Sequence, residues 1–276
     1  MTTEPTPPSP DIATAPVAVI TGAARGIGAA VARGLSGEGW RLVLVDRCAD
    51  DPALGYPLAT RADLAAVTAE CGGHDVAVDV VADVRDQAAV TDAVAVATER
   101  FGGLDAAVAA AGGLAGGDPA WSTSDDTWAA MIGVNLEGTW RLARAAAPVL
   151  LARPAPRHGR IVAVASAGGL VGLPLLSAYS AAKHGVVGLV RSLAAELGPH
   201  GVTVNAVAPG STTTDMLDAS ARVYDLGSPA ELGVHHLLER LLEPAEVAAL
   251  VVWLCGRASS GVTGAVLPVD AGMTAR

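Results

Sequence analysis

Tyr179 and Lys183 stand four residues apart in a stretch, Ala178–Gly198, whose apolar spacing is helical, so the phenol and the amine share one face. A free phenol ionises near pH 10 and is a poor base at neutral pH. An ammonium roughly 4 Å away contributes on the order of 4 kcal/mol at an effective dielectric of 20, equivalent to about 3 pKa units before desolvation is deducted. The pair therefore reads as a device for moving a proton. Ser166 ends an apolar run earlier in the chain and can hydrogen-bond the oxygen that gains or loses that proton. A lone Tyr-x-x-x-Lys is common on helix surfaces, so the pattern acquires meaning only from what accompanies it.

What accompanies it is a glycine-rich turn, Thr21-Gly22-Ala23-Ala24-Arg25-Gly26-Ile27-Gly28, set between an apolar run and a helical stretch. Gly22 permits a tight turn and Gly26 lets a backbone approach a pyrophosphate. Gly28 lets the helix lie close on the sheet, and the helix N-terminus offers free N–H groups and a positive dipole. Arg25 and Ile27, between the glycines, face the same ligand. Asp46 ends the second apolar run, where a carboxylate accepts hydrogen bonds from adenosine ribose hydroxyls and repels a 2′-phosphate, which favours NAD over NADP. Arg47, next in the chain, would attract such a phosphate and works against that preference. Hydride transfer between an alcohol or carbonyl and a nicotinamide is the chemistry these groups serve.

The elements that must position them alternate from residue 16 onward. Strand-like runs occur at Val17–Thr21, Arg41–Asp46, Val76–Asp83, Ala106–Ala111, Arg160–Ser166, Val202–Ala208 and Ala265–Val269. Helical spacing fills Gly28–Gly37, Ala88–Phe101, Thr127–Leu151 and Ala178–Gly198. This repetition predicts an α/β, single-domain, Rossmann-like fold: a doubly wound parallel seven-stranded sheet with helices on both faces, over residues 16–276. Residues 1–15 read as a disordered Pro- and Thr-rich tail. Two stretches break the rhythm, 47–62 (RCADDPALGYPLATRA) after the second strand and 211–243 after the sixth. Both follow the carboxyl ends of strands, where open α/β sheets bind ligands.

Composition narrows the class. The 276 residues are 51% hydrophobic but only 3% aromatic, so small aliphatic side chains must build the core. A formal net charge of −10 argues against nucleic acid as a partner. No apolar run is long enough to span a bilayer and the N-terminus has no basic-then-apolar leader, so a cytoplasmic protein without membrane contact is expected. Cys48, Cys71 and Cys255 are odd in number and widely spaced, which predicts no disulfide framework. Adjacent His235 and His236 cannot share a helix face, and no metal site is expected.

These motifs together resemble the short-chain dehydrogenase/reductase family over about Pro16 to Met273. The resemblance rests on TGAARGIG, the strand-end Asp46, Ala82-Asp83-Val84, Val134-Asn135, Ser166, Tyr179 with Lys183, Ala208-Pro209-Gly210 and the closing VTGAVLPVDAGM. It implies that Asp83 and Val84 contact adenine and that Asn135 holds a water in a proton relay through Lys183. It also implies that Pro209, Gly210, Thr212 and Thr214 embrace the nicotinamide amide and phosphates, that Tyr179 and Lys183 touch cofactor as well as substrate, and that the protein is a homotetramer. The family's Asn-Asn-Ala-Gly is here Ala109-Ala110-Ala111-Gly112. That keeps Ala110, Ala111 and Gly112 for backbone approach to the cofactor but loses an Asn that steadies the central strands.

The stretch DRCADDPALGYPLATRADL, AAVAAAGG and LLERLLEPAEVA further resemble the mycofactocin-coupled branch of that family. The interval from Asp46 to Asp83 is longer than the family's, as an insertion requires. In that branch the inserted loop is thought to fold over NAD and slow its exchange, so that electrons leave through mycofactocin, a peptide-derived redox carrier. With association at about 10⁶ M⁻¹s⁻¹, nanomolar affinity implies a residence time of about a thousand seconds, so the cofactor would have to be reoxidised in place. The substrate expected is a hydrophobic secondary alcohol beneath the 211–243 cap. Met216, Leu217, Tyr224, Leu237, Leu238 and Leu241 are candidates for its lining or for helical packing, and Trp121 for the pocket wall. The rival readings are an ordinary dehydrogenase with freely exchanging NAD(H), a non-catalytic NAD-binding regulator, and a sugar-nucleotide epimerase, for whose larger C-terminal domain the chain has no room.

Overall fold

The computed structural model describes residues 15–275; the expected tail, apart from Ala15, lies outside them. β1 (Val17–Thr21), β2 (Arg41–Asp46), β3 (Ala77–Val81), β4 (Ala106–Ala109), β5 (Gly159–Val164), β6 (Val202–Pro209) and β7 (Val266–Val269) form one sheet. Its order is β3-β2-β1-β4-β5-β6-β7, and every pairing is parallel. The expected seven-stranded, doubly wound architecture is the one found. β1 is buried along its whole length because both faces are covered, so its sequence VAVIT is a continuous apolar run without alternation.

Side-chain alternation sorts the core into two layers. Val17 and Val19 face a cluster built with α3 (Gln87–Phe101), α5 (Gly138–Ala152) and α6 (Ser177–Leu197). Ala18 and Ile20 face the opposite cluster, with α1 (Gly26–Gly37), α2 (Arg61–Glu70) and α8 (Pro244–Cys255). The sheet reverses its winding between β1 and β4, and the crevice outside their carboxyl ends is where such sheets hold ligands.

The stretch expected as one helix over Thr127–Leu151 is three pieces: α4 (Asp125–Met131), a π-helical segment Ile132–Glu137, and α5. Asn135 sits inside the π segment, fully buried, and its amide donates to the Met131 carbonyl one turn back. A π segment widens the helix locally and often re-aims a functional side chain. Gly138, opening α5, lets the helix approach β3's end: a Cβ there would lie 2.6 Å from Val84 Cγ2. The three cysteines are unpaired, and among the described residues no helix is long and apolar enough to cross a membrane.

Candidate active site

One cavity of about 560 Å³ opens at the carboxyl ends of the central strands, and every catalytic and cofactor-binding candidate named from the sequence lines it except Asn135. Its floor is the glycine turn. Gly22 has φ +67° and a Cβ there would lie 2.7 Å from the Ala111 backbone, so only glycine lets the two loops meet. A Cβ on Gly28 would stand 2.0 Å from the Gly22 carbonyl oxygen. No side chain caps the N-terminus of α1, so its first N–H groups remain free for an anion beside Gly26. The lost family Asn is covered by Thr21, whose hydroxyl donates to the Val108 carbonyl at 3.4 Å and accepts from Ala111 N–H at 3.3 Å.

At the β2 end, the Asp46 carboxylate accepts from Ala24 N–H at 3.1 Å, tying strand to turn. Arg47 is engaged by two acids: Asp51 at 2.6 Å and Asp83 at 3.3 Å. Arg85, which sequence reasoning passed over, grips the same two carboxylates, at 2.8 Å to Asp51 and 2.7 Å to Asp83. Burial works against the Asp51 charge, but the Ala53 N–H and the Arg85 and Arg47 guanidiniums outweigh it and hold the carboxyl below its ordinary range. Burial likewise opposes the Asp83 charge, and the Arg85 hydrogen bonds prevail. The cluster joins three chain segments: the end of β2, the turn after β3 and the inserted loop.

At the other end, Ser166 lies just past β5 with its Oγ accepting from Gly168 N–H at 3.1 Å. Tyr179 and Lys183 occupy the first two turns of α6 and are both buried. The ammonium donates to the Val164 carbonyl at 2.9 Å and stands 5.8 Å from the centre of the phenol ring. Burial disfavours both charges, pushing the Lys183 amine down to about 8 and the Tyr179 phenol up to about 12, with only the Ser166 hydrogen bond pulling the phenol back. Asn135 lies beneath the floor. Its amide donates to the Gly113 carbonyl at 3.0 Å and its oxygen accepts from Gly113 N–H at 3.2 Å. A Cβ on Gly112 would meet both the Asn135 oxygen, at 2.9 Å, and Lys183 Nζ, at 3.6 Å, so these two groups converge behind that glycine.

Two segments cover the cavity. Residues 47–60 run as irregular chain until Thr60 caps α2 with Asp63 in a reciprocal capping box. Their Leu54, Tyr56 and Ala59 are buried, and the Tyr56 phenol oxygen accepts from Leu114 N–H at 3.2 Å. The 211–243 segment carries α7 (Asp215–Val223), which presents Met216, Leu217 and Ser220 to the cavity, with Tyr224 just beyond. Arg25 joins the two covers, donating to the Pro57 carbonyl at 3.0 Å and to Asp215 at 2.7 Å. Thr212 and Thr214 stay on the rim, each hydroxyl donating to a carbonyl two residues back. Leu237 and Leu238 are exposed and, with Leu241, take no part in the lining. Trp121 is 88% exposed on a single 3₁₀ turn and forms no wall either, because nothing packs behind that turn. His236, weighed in the sequence only as a metal ligand, is buried with Nε2 accepting from Ser211 N–H at 3.0 Å, which anchors the loop leaving Gly210.

The donor set fits a dinucleotide: free helix N–H groups and glycines for a pyrophosphate, a carboxylate for a ribose, and a Ser–Tyr–Lys group at the far end. Comparison with known proteins agrees. Residues 22–274 match the family described as Enoyl-(Acyl carrier protein) reductase. The chain is 40% identical to (−)-trans-carveol dehydrogenase of Rhodococcus erythropolis, across 94% of this chain and 97% of that protein. It is 37% identical to trans-4-hydroxycyclohexanecarboxylate dehydrogenase of Sinomonas cyclohexanicum, across 94% and 93%. Carveol dehydrogenase from Mycobacterium avium, solved in complex with NAD, superposes with a TM-score of 0.89 at 37% identity, covering 95% of this chain and 99% of that one. By these matches and by its own Ser166, Tyr179 and Lys183, the chain belongs to the short-chain dehydrogenase/reductase family and is an oxidoreductase.

Proposed function

We propose that this enzyme oxidises hydrophobic, uncharged secondary alcohols with NAD, keeps that NAD through many turnovers, and passes its electrons to mycofactocin in the cytoplasm. NAD rather than NADP follows from the adenosine end. Asp46 stands where a 2′-phosphate would go, and Arg47, the one neighbour able to attract that phosphate, is already neutralised by Asp51 and Asp83. The alcohol class follows from the catalytic end, where Leu114, Leu173, Leu176 and Met216 surround Ser166 and Tyr179. One relative is named for carveol, an uncharged alcohol on a six-membered ring, which this lining would accept.

In the oxidation direction Ser166 Oγ holds the alcohol oxygen while Tyr179 Oη takes its proton. Bound NAD⁺ supplies the hydride acceptor, and its cationic ring favours the phenolate that burial alone opposes. Lys183 adds positive charge on the same side and, with Asn135 behind Gly112, marks the side on which the proton would leave. The exposed Trp128 and Trp140 on α4 and α5 support assembly of these helices into a homotetramer, which light scattering would test.

The observation that carries slow exchange is the inserted loop, fastened on one side by Asp51 to the Arg85 guanidinium beyond β3 and on the other by Tyr56 to Leu114 N–H. A cofactor beneath a strap tied on both sides leaves only when a tie opens. Mass spectrometry of the protein after exhaustive dialysis should find close to one NAD(H) per protomer. Adding an alicyclic alcohol should then produce one burst of NADH absorbance and no further turnover until mycofactocin is supplied. Complete loss of NAD within an hour of dialysis, or steady turnover limited only by free NAD, would leave the ordinary exchanging dehydrogenase as the better reading.

A further inference from the structure

The chain has three tyrosines, Tyr56, Tyr179 and Tyr224, and all three line the one cavity. In a sequence that is 3% aromatic, this concentration demands an account. Tyr179 is the proton carrier. Tyr224 has its hydroxyl committed, donating to the Pro174 carbonyl at 3.0 Å. Tyr56 is unassigned, and its position is unexpected for its place in the chain. It follows β2, at the adenosine end, yet it sits at the opposite end, where it meets the loop after β4 through Leu114. Its neighbour Leu54 covers Gly113, with both methyls 2.9 Å from where a Cβ there would be.

Tyr56 is 8% exposed and shares one apolar cluster with Leu114, Met131, Leu176 and Tyr179. Leu114, Leu173, Leu176 and Met216 at this end are flexible aliphatic side chains, whereas the Tyr56 ring is flat and has few rotamers. The N–H of Leu114 fixes that ring by its oxygen. A rigid plane, tethered beside the catalytic phenol and brought there by the loop that covers the cofactor, is suited to measuring what fits against it.

We infer that Tyr56 determines substrate selection: its ring is the wall against which an uncharged alicyclic alcohol is sized before Ser166 and Tyr179 act on it. This rests on the alcohol-oxidising function proposed above. It also makes the substrate chamber complete only when the inserted loop is closed. Replacing the ring by a methyl group opens space for bulkier ring alcohols and removes the surface that aligns small ones. A residue serving merely to hold the loop would depress all substrates alike.

The test compares cyclohexanol with 4-tert-butylcyclohexanol in single-turnover reactions of protein preloaded with NAD, so that neither exchange nor an external acceptor enters. The quantity read is the ratio of the two second-order rate constants within each variant, which cancels general damage. In Tyr56→Ala the ratio of bulky to small substrate should rise at least about tenfold over wild type. In Tyr56→Phe, which keeps the ring, it should stay within about threefold, and Tyr56→Leu, which loses it, serves should the alanine protein not fold. Tyr56→Leu should fall between. An unchanged ratio in both Tyr56→Ala and Tyr56→Leu, with the wild type active, overturns the inference alone. A wild type that oxidises neither alcohol, nor any other ring alcohol, overturns the function on which it rests.

Discussion

The floor of the cavity and its cover are held by different physics. The floor, Gly22 to Gly28 with Ser166, Tyr179 and Lys183, is regular structure: strands paired along their length, helices seated on them, and glycines at positions where a Cβ would strike backbone. The cover, residues 47–60 and 211–243, is irregular chain and short helices, fastened by side chains: Asp51 to Arg47 and Arg85, Tyr56 to Leu114, Arg25 to Asp215. A floor of that kind opens only with the whole fold, whereas a cover held by a few ties opens locally at lower cost. Chemistry that needs fixed atoms is on the first, and access to it is governed by the second.

The sharpest separation should come from the floor's reacting group. Tyr179→Phe is expected to slow single-turnover oxidation by about a thousandfold or more while NAD stays bound, measured by NADH absorbance in preloaded protein. Gly28→Ala attacks the floor's packing. With backbone only 2.0 Å from the new methyl, it should cost several kcal/mol, of the order of 3 or more, and NAD should be lost on dialysis. On the cover, Asp51→Ala leaves two guanidiniums without their buried partner and should speed NAD release by about ten- to a hundredfold. Its melting temperature should move much less than that of Gly28→Ala, and equal losses in the two would break the distinction between floor and cover.

A smaller effect is written in the pH dependence of the floor. Burial keeps Lys183 near 8 in the folded chain against 10.5 for the ordinary side chain, so between those values the unfolded chain holds a proton that the folded one lacks. Stability from this group therefore rises with pH through that window, by roughly 1 kcal/mol per pH unit at most, and Lys183→Met should lack the slope. Tyr179, pushed up to about 12, contributes the opposite sign above pH 10, and Cys48 and Cys255, which burial pushes up to about 11 and about 12, do so above pH 9, so the lysine is isolated by the difference between wild type and Lys183→Met in denaturant melts between pH 8 and pH 10. Smallest of all, Trp121→Ser should leave both stability and single-turnover rate within error, since the ring touches neither floor nor cover.

Sequence by itself determined the floor. The glycine spacing, the strand-end Asp46, the helical offset of Tyr179 and Lys183 and the alternation of strand and helix are local patterns, set by backbone geometry over a few residues. Such patterns can be read without knowing what lies across the fold. Only the tertiary structure decided the rest. That Arg47 is neutralised by Asp51 and Asp83, that Arg85 completes the cluster, and that His236 anchors the loop after Gly210 depend on segments far apart in the chain. The same is true of Tyr56 crossing from the adenosine end to the catalytic end. The acidity of Tyr179 is decided at the same level: helical spacing sets the distance to Lys183, but how far water is excluded from both groups depends on everything packed around them. Leu237, Leu238 and Trp121 failed as pocket lining, since an apolar side chain in a turn lines a pocket only if the chain beyond it folds back to make a wall.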